Sequence, residues 1–197
     1  ASISDATNVI TLDTTGVSDT PGNAGVGTTD SNNYAVDTVR PTATIVVADT
    51  SLIIGETSLV TITFSEAVAG FSNADLTIAG GTLPAVSSAD GGITWTATFT
   101  PTASITDATN VITLDTTGVS DAVGNAGVGT TDSNNFAIDT VRPTATIVVA
   151  DTSLIIGETS LVTITVSEAV TAFSNADLTI ASGTLSAVSS ADGGITW

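Results

Sequence analysis

The charged side chains of this sequence are nearly all carboxylates, and the chemistry that they could do is cation binding. The 197 residues include 20 Asp and Glu against two Arg, so that the formal net charge is −18 at neutral pH. Calcium takes about six to eight hard oxygen ligands from carboxylates, amides and main-chain carbonyls. An acidic surface also repels nucleic acid and anionic lipid. We therefore expect cations as partners, and neither nucleic-acid binding nor membrane insertion of this segment.

The residues that most enzymes need are missing. The sequence contains no Cys, His, Met or Lys, so the usual pairs of nucleophile and base cannot be built, and neither disulfides nor thiolate zinc sites can form. Paired carboxylates could suggest a glycosidase, but every pair lies in a predicted turn, without a platform of aromatic residues. A Gly-rich stretch at 16–27 has no following helix pattern and no Lys, which argues against phosphate binding. The sequence predicts a protein that is not an enzyme.

An internal repeat indicates the architecture. Residues 1–95 align with residues 103–197 without a gap and differ at ten positions, which gives a period of 102 residues. That period is too long for a solenoid unit and suits one immunoglobulin-sized (Ig-sized) domain per repeat. The chain is rich in Val, Ile and Thr and shows no helical periodicity. The predicted fold class is therefore all-β, a tandem Ig-like β-sandwich with about seven strands per repeat.

The strands are assigned from apolar residues that alternate with polar ones. Strands are predicted at 42–48, 58–65, 76–79, 83–87, 93–99, 110–114 and 135–138. In the strand at 93–99, Ile93, Trp95, Ala97 and Phe99 are expected to point inward because Thr occupies the positions between them. We accordingly predict that Trp95, and its counterpart Trp197, pack in the core rather than stack on a ligand.

A repeated joint divides the chain. The sequence Asp-Thr-Val-Arg-Pro stands at 37–41 and again at 139–143. Proline fixes its own φ and favours an extended residue before it, so this joint should be short and stiff. On this basis, residues 1–37 are the C-terminal part of a preceding repeat, 38–139 are one complete repeat, and 140–197 are the N-terminal part of a following repeat.

Several segments make a family resemblance specific. The joint, with the Thr that follows it, resembles the linker of bacterial Ig-like repeats in giant calcium-dependent surface adhesins and biofilm-associated proteins. Four further segments are similar to that family: Phe-Ser-Glu-Ala-Val at 64–68, Phe-Ser-Asn-Ala-Asp-Leu at 71–76, Thr-Ala-Thr-Phe-Thr-Pro at 96–101 and Ser-Asp-Ala-Val-Gly-Asn at 120–125. The resemblance implies secretion by a type I system, an extracellular or cell-surface location, and calcium ions that stiffen the chain.

Candidate calcium ligands follow from where the loops of such a sandwich meet. Alternate loops gather at each pole, so carboxylates from two neighbouring domains should surround the linker residue at every joint. The candidate ligands, with their counterparts in the other repeat, are Asp37, Asp139, Glu66, Glu168, Asp75, Asp177, Asp19, Asp121, Asn23, Asn125, Asp5 and Asp107. The alternative is that Asp and Asn occupy these loops because they stabilise turns. For the linker aspartates and the Asp121–Asn125 loop we favour the metal.

Three functions remain open at this level. A structural extender that supports cell adhesion or biofilm formation fits the near identity of the repeats, because a spacer needs length rather than a unique site. A repeat that itself binds glycan would need a variable exposed surface, whereas differences such as Phe64/Val166 fall at inward positions. Fibre formation by strand complementation is the third, since open sheet edges accept strands. The expected partners are neighbouring repeats of the same chain and other copies of it, end to end.

Overall fold

The computed structural model describes residues 2–197, and the chain divides into two compact units, Ala1–Thr140 and Val141–Trp197. The only helices among the described residues are single turns of 3-10 helix, at Thr14–Gly16, Asn73–Asp75, Thr116–Gly118 and Asn175–Asp177. The predicted all-β class is confirmed. Within residues 2–197, no helix has the length and apolar character that crossing a membrane would require.

Four short strands precede the complete repeat. They are β1 (Ser4–Asn8), β2 (Thr11–Asp13), β3 (Thr28–Asp30) and β4 (Tyr34–Asp37). β1 pairs antiparallel with β4, and β2 pairs antiparallel with β3. The two pairs form one interrupted hairpin, which ends at the linker residue Asp37.

The complete repeat is a two-layered sandwich of thirteen strand segments. They are β5 (Ala43–Val47), β6 (Ser51–Ile53), β7 (Ser58–Phe64), β8 (Val68–Ala69), β9 (Leu76–Ile78), β10 (Gly81–Thr82), β11 (Ser87–Ser88), β12 (Thr94–Pro101), β13 (Thr106–Asn110), β14 (Ile112–Asp115), β15 (Ser120–Asp121), β16 (Thr130–Asp132) and β17 (Phe136–Asp139). One layer has the order β10-β12-β7-β5, with β11 also on β12. The other consists of β6-β17-β13 and β9-β14-β16. Only Val111 separates β13 from β14, so these two sheets continue each other.

The first strand of the repeat crosses between the layers. β5 pairs antiparallel with β7, whereas β6 pairs parallel with β17 in the opposite layer. Asn134 holds the crossing point, because its side chain accepts from the Val47 N–H at 2.8 Å and donates to the Val47 carbonyl at 3.0 Å. The Asn134 side chain therefore satisfies both the N–H and the carbonyl of Val47, where β5 ends and the chain leaves β7.

The core lies between the two layers and follows the predicted alternation in the longer strands. Val60, Ile62 and Phe64 of β7 are buried, as predicted. Phe99 of β12 is also fully buried, and its ring meets that of Phe136 edge to face at 5.1 Å. The predicted core position of Trp95 is confirmed, since it packs on the edge of the core.

Two strand predictions were wrong. Ile93, predicted to point inward, is exposed because β12 begins only at Thr94 and Ile93 belongs to the preceding turn. The weak strand predicted at 83–87 is instead two short strands, β10 and β11, on either side of a bend that buries Leu83. Both errors arise where a turn interrupts the alternation and apolar side chains change direction.

The second unit repeats the first strands of the sandwich. It contains β18 (Ala145–Val149) and β19 (Val162–Val166), which pair antiparallel. Near its end, an isolated bridge joins Thr165 to Thr196. Trp197 packs edge to face on Phe173 at 5.2 Å, as Trp95 packs on Phe71 at the same separation.

Candidate metal centre

Three carboxylates converge where the linker enters the complete repeat. Asp37 ends β4, Glu66 follows β7, and Asp121 ends β15. One carboxylate oxygen from each of these residues lies within 4.8 Å of the others. No second group of three acidic side chains comes this close anywhere in residues 2–197. The structure thus brings together three of the predicted ligands, one from the linker and two from loops of the complete repeat.

Asp121 is held rigidly by its own loop. Its Oδ1 accepts the main-chain N–H groups of Val123, Gly124 and Asn125 at 2.9, 2.7 and 2.8 Å. Burial by itself raises the pKa of Asp121, but the hydrogen bonds from Asn125 and from the N–H groups of Gly124 and Val123 outweigh it, so that the pKa lies below its usual value. The buried carboxylate therefore stays ionised, as a metal ligand must be.

Asn125 connects the loop to the linker. Its Nδ2 donates to Asp121 Oδ2 at 2.7 Å and to the main-chain carbonyl of Asp37 at 3.2 Å. On the other side of the linker, Arg40 Nη1 donates to the carbonyl of Ala126 at 2.5 Å. The linker is consequently fastened to the 121–126 loop at two points, through the main-chain carbonyl of Asp37 and through the side chain of Arg40.

Glu66 is the carboxylate of the cluster whose ionised form is disfavoured. Burial, and then the negative charges of Asp121 and Asp37, raise its pKa above the usual value. A divalent cation among the three carboxylates would replace this repulsion with attraction. The three ligand atoms are all hard carboxylate oxygens, so the chemistry of the set fits calcium rather than a soft metal.

Four other predicted ligands are engaged by their own turns. Asp75 and Asp177 each close a capping box, in which Ser72 and Ser174 donate their main-chain N–H groups at 2.8 and 2.9 Å. Asp5 and Asp107 likewise accept the main-chain N–H groups of Thr7 and Thr109, two residues further along the chain. These contacts are local turn interactions, and the metal-binding role of these four residues stays a prediction.

The remaining predicted ligands lie outside the cluster of three. Asp19 repeats the geometry of Asp121, since it accepts from Asn23 N and Nδ2 at 2.7 and 2.8 Å. Asp139 Oδ1 accepts from the Thr106 hydroxyl at 2.9 Å. Glu168 has a buried Oε1 atom without a hydrogen-bond partner. Their role as ligands also stays a prediction.

Sequence reasoning missed the part that Arg40 plays in the site. A signal was present, because the only two basic residues of the chain, Arg40 and Arg142, occupy the same position of the repeated joint. What could not be read from the sequence is the acceptor, the Ala126 carbonyl, which lies 86 residues away along the chain.

Asp90 lies in the turn before β12, and its carboxylate stabilises that turn. The Thr94 N–H and the Ser88 hydroxyl donate to it, and these bonds lower the pKa of Asp90 to about 2. Because the pKa of Asp90 is lower in the folded protein than in the unfolded chain, where it is about 4, ionised Asp90 stabilises the fold at pH values above about 4. This stabilisation is lost as the pH falls toward 2. We expect Asp90→Asn to be less stable than the parent at pH 7, with the difference vanishing between pH 4 and pH 2. Urea unfolding across this range measures it; a difference independent of pH would contradict it.

Comparison with known proteins gives one match. Residues 37–138 and 139–197 match the same family, the bacterial Ig-like domain, as two adjacent copies. No curated protein and no solved structure matches the chain.

Proposed function

This chain belongs to the bacterial Ig-like domain family, and on that premise we propose that it is a structural extender of a large bacterial surface protein. Domains of this family are structural rather than catalytic, and they are typically extracellular or exposed at the cell surface. The second copy is nearly identical to the first over the part of the repeat that it covers, and this near identity supports a role that depends on length. In this proposal, the repeats hold a distal adhesive region away from the cell and so support adhesion or biofilm formation.

We further propose that calcium stiffens the joints between repeats, and the convergence of Asp37, Glu66 and Asp121 is the observation that carries this proposal. Asp37 comes from the last strand of the preceding repeat, whereas Glu66 and Asp121 come from loops of the next one. An ion bound by all three would fasten two repeats together at the linker. Without it, three negative charges within 4.8 Å repel one another and oppose the closed joint.

Asp37→Asn tests the joint, because it removes a ligand charge from the linker without touching either core. In saturating calcium, we expect the parent to show a larger maximum dimension by small-angle scattering than it shows in chelator. In the variant, this calcium-dependent difference should fall by half or more. Asp30→Asn is the matched control, since the exposed Asp30 carboxylate accepts the Thr11 hydroxyl and lies outside the cluster of three. Equal calcium responses in parent and Asp37→Asn would rule out the clamp. Asp139 has the same place in the following joint, and Asp139→Ala is predicted to loosen it.

A further inference from the structure

Arg40 is the basic side chain of the linker at 37–41. It is one of only two basic residues in the chain, and its Nη1 donates to the main-chain carbonyl of Ala126 at 2.5 Å. Both basic residues stand at the same place in the repeated joint, immediately before a proline. A charged donor forms a stronger hydrogen bond than a neutral one. The contact therefore joins the linker to a loop of the complete repeat without a metal ion.

The acceptor of the Arg40 hydrogen bond belongs to the same hairpin as the candidate ligand Asp121. Ala126 forms a β-bridge with Ser120, the residue before Asp121. The loop between them is closed by the Asp121 N–H, which donates to the Asn125 carbonyl at 3.2 Å. Because Ala126 and Asp121 lie in one closed loop, a side chain that holds Ala126 also determines where Asp121 lies relative to the linker.

The shape of this loop is set by its own sequence. The corresponding loop at 19–24 closes in the same way, since the Asp19 N–H donates to the Asn23 carbonyl at 3.0 Å. Pro21 takes the place of Val123 in that loop, and the closing hydrogen bond is still made. The acceptor is therefore preformed, and the arginine determines where the linker lies rather than how the loop folds.

The linker backbone has little freedom between Arg40 and Asp37. Pro41 is buried, and its ring fixes the main chain directly after Arg40 and favours an extended conformation of Arg40 itself. At the other end, the Val39 N–H donates to Asp37 Oδ1 at 3.1 Å, and Asn125 Nδ2 donates to the Asp37 carbonyl at 3.2 Å. A contact that fixes Arg40 therefore also fixes Asp37, three residues away.

We infer, on the basis of the calcium site proposed above, that Arg40 is a positioning residue of the joint. It holds Asp37 opposite Asp121 and so raises the calcium affinity of the cluster without being a ligand. The charge of Arg40 alone has the opposite effect, because a guanidinium repels calcium and its removal would tighten binding. Losing a group that orients a metal ligand lowers the affinity by about 10- to 100-fold. The two effects therefore differ in sign when a neutral residue replaces Arg40.

Arg40→Met tests this role, because it removes the donor and the charge but keeps an unbranched side chain. Spin labels attached after Thr28→Cys and Ser87→Cys, at two exposed positions of a chain without native cysteine, report the distribution of distances across the joint. In chelator, the distribution should be wider for Arg40→Met than for the parent. The calcium concentration that half-narrows it should rise about tenfold. Arg40→Lys should behave like the parent, because an ammonium can also donate to a lone carbonyl.

Arg142→Met is the matched control, because it removes the same charge from the same Val-Arg-Pro sequence at the following joint. It should leave both the distance distribution and the calcium midpoint of the labelled joint unchanged. An unaltered distribution for Arg40→Met in chelator would overturn the inference. Tighter calcium binding by Arg40→Met would overturn it too, since only the charge of Arg40 would then matter. If Arg40→Met widens the distribution in chelator but the parent does not respond to calcium, the proposed calcium site falls, whereas the holding of the linker by Arg40 stands.

Discussion

Glu66→Gln is expected to raise the melting temperature of the chain in chelator and to remove most of the increase that calcium gives. Without metal, the change relieves the repulsion that Asp121 and Asp37 exert on the Glu66 carboxylate. The gain should be a few degrees, because about 1 kcal/mol moves the melting temperature of a domain of this size by roughly 4–8 °C. With metal, the cluster has lost one of its three charges. Since removing even a supporting neighbour of a ligand lowers metal affinity by about 10- to 100-fold, losing a ligand charge should cost at least as much.

Glu56→Gln is the matched control for this prediction. It makes the same chemical change at an exposed turn, where Glu56 Oε2 accepts the Ile53 N–H at 3.0 Å. Glutamine keeps an acceptor there, so both the melting temperature in chelator and the calcium response should stay close to those of the parent. A Glu66→Gln protein that is destabilised in chelator would contradict the repulsion among the three carboxylates, and one that still responds fully to calcium would show that Glu66 is not a ligand.

Phe99→Ala is expected to be the most destabilising single change in the complete repeat. Phe99 is fully buried between the layers, and its ring contacts Phe136 at 5.1 Å and 70°. Truncating a buried Phe to Ala costs about 3–5 kcal/mol, because apolar contacts are lost and a cavity remains. A stability of about 5–15 kcal/mol is usual for one domain, so the loss would be a large fraction of the total.

Urea unfolding measures this loss, with Val46→Ala as control because Val46 lies on the exposed face of β5. The control should change the free energy of unfolding by about 0.5 kcal/mol or less. A loss below about 1 kcal/mol for Phe99→Ala would mean that the sandwich does not close over this ring.

The sequence predicted the fold best where strands are long. In β7, an apolar residue at every second position gives only one face that can be buried, so Val60, Ile62 and Phe64 point inward as predicted. It predicted the fold less well where turns interrupt the pattern, as at Ile93, whose direction is set by the turn around Asp90. Short segments such as β8 and β15 carry no alternation, and they exist because tertiary contact places them side by side.

The candidate site was likewise predicted in part from the sequence. Loop positions in a sandwich predict which residues share a pole, and three of the proposed ligands, Asp37, Glu66 and Asp121, do meet. Loop positions do not predict which carboxylates are used by their own turn. The Asp75 carboxylate accepts the N–H of Ser72, three residues away, and this local contact competes with the binding of a metal ion. To distinguish carboxylates that converge on one site from those that bond within their own turn, one needs the distances between segments that lie far apart in the chain.

Thermal melting of the chelator-treated chain during a calcium titration tests the central claim most directly. An ion that binds only the folded cluster of Asp37, Glu66 and Asp121 must stabilise the protein by mass action, by about 2.7 kcal/mol when its concentration is a hundred times the dissociation constant. We predict a melting temperature that rises with the logarithm of the calcium concentration, beyond the effect of sodium chloride at the same ionic strength. A curve that calcium leaves unchanged, or one that sodium chloride reproduces in full, would contradict the calcium-stiffened joint.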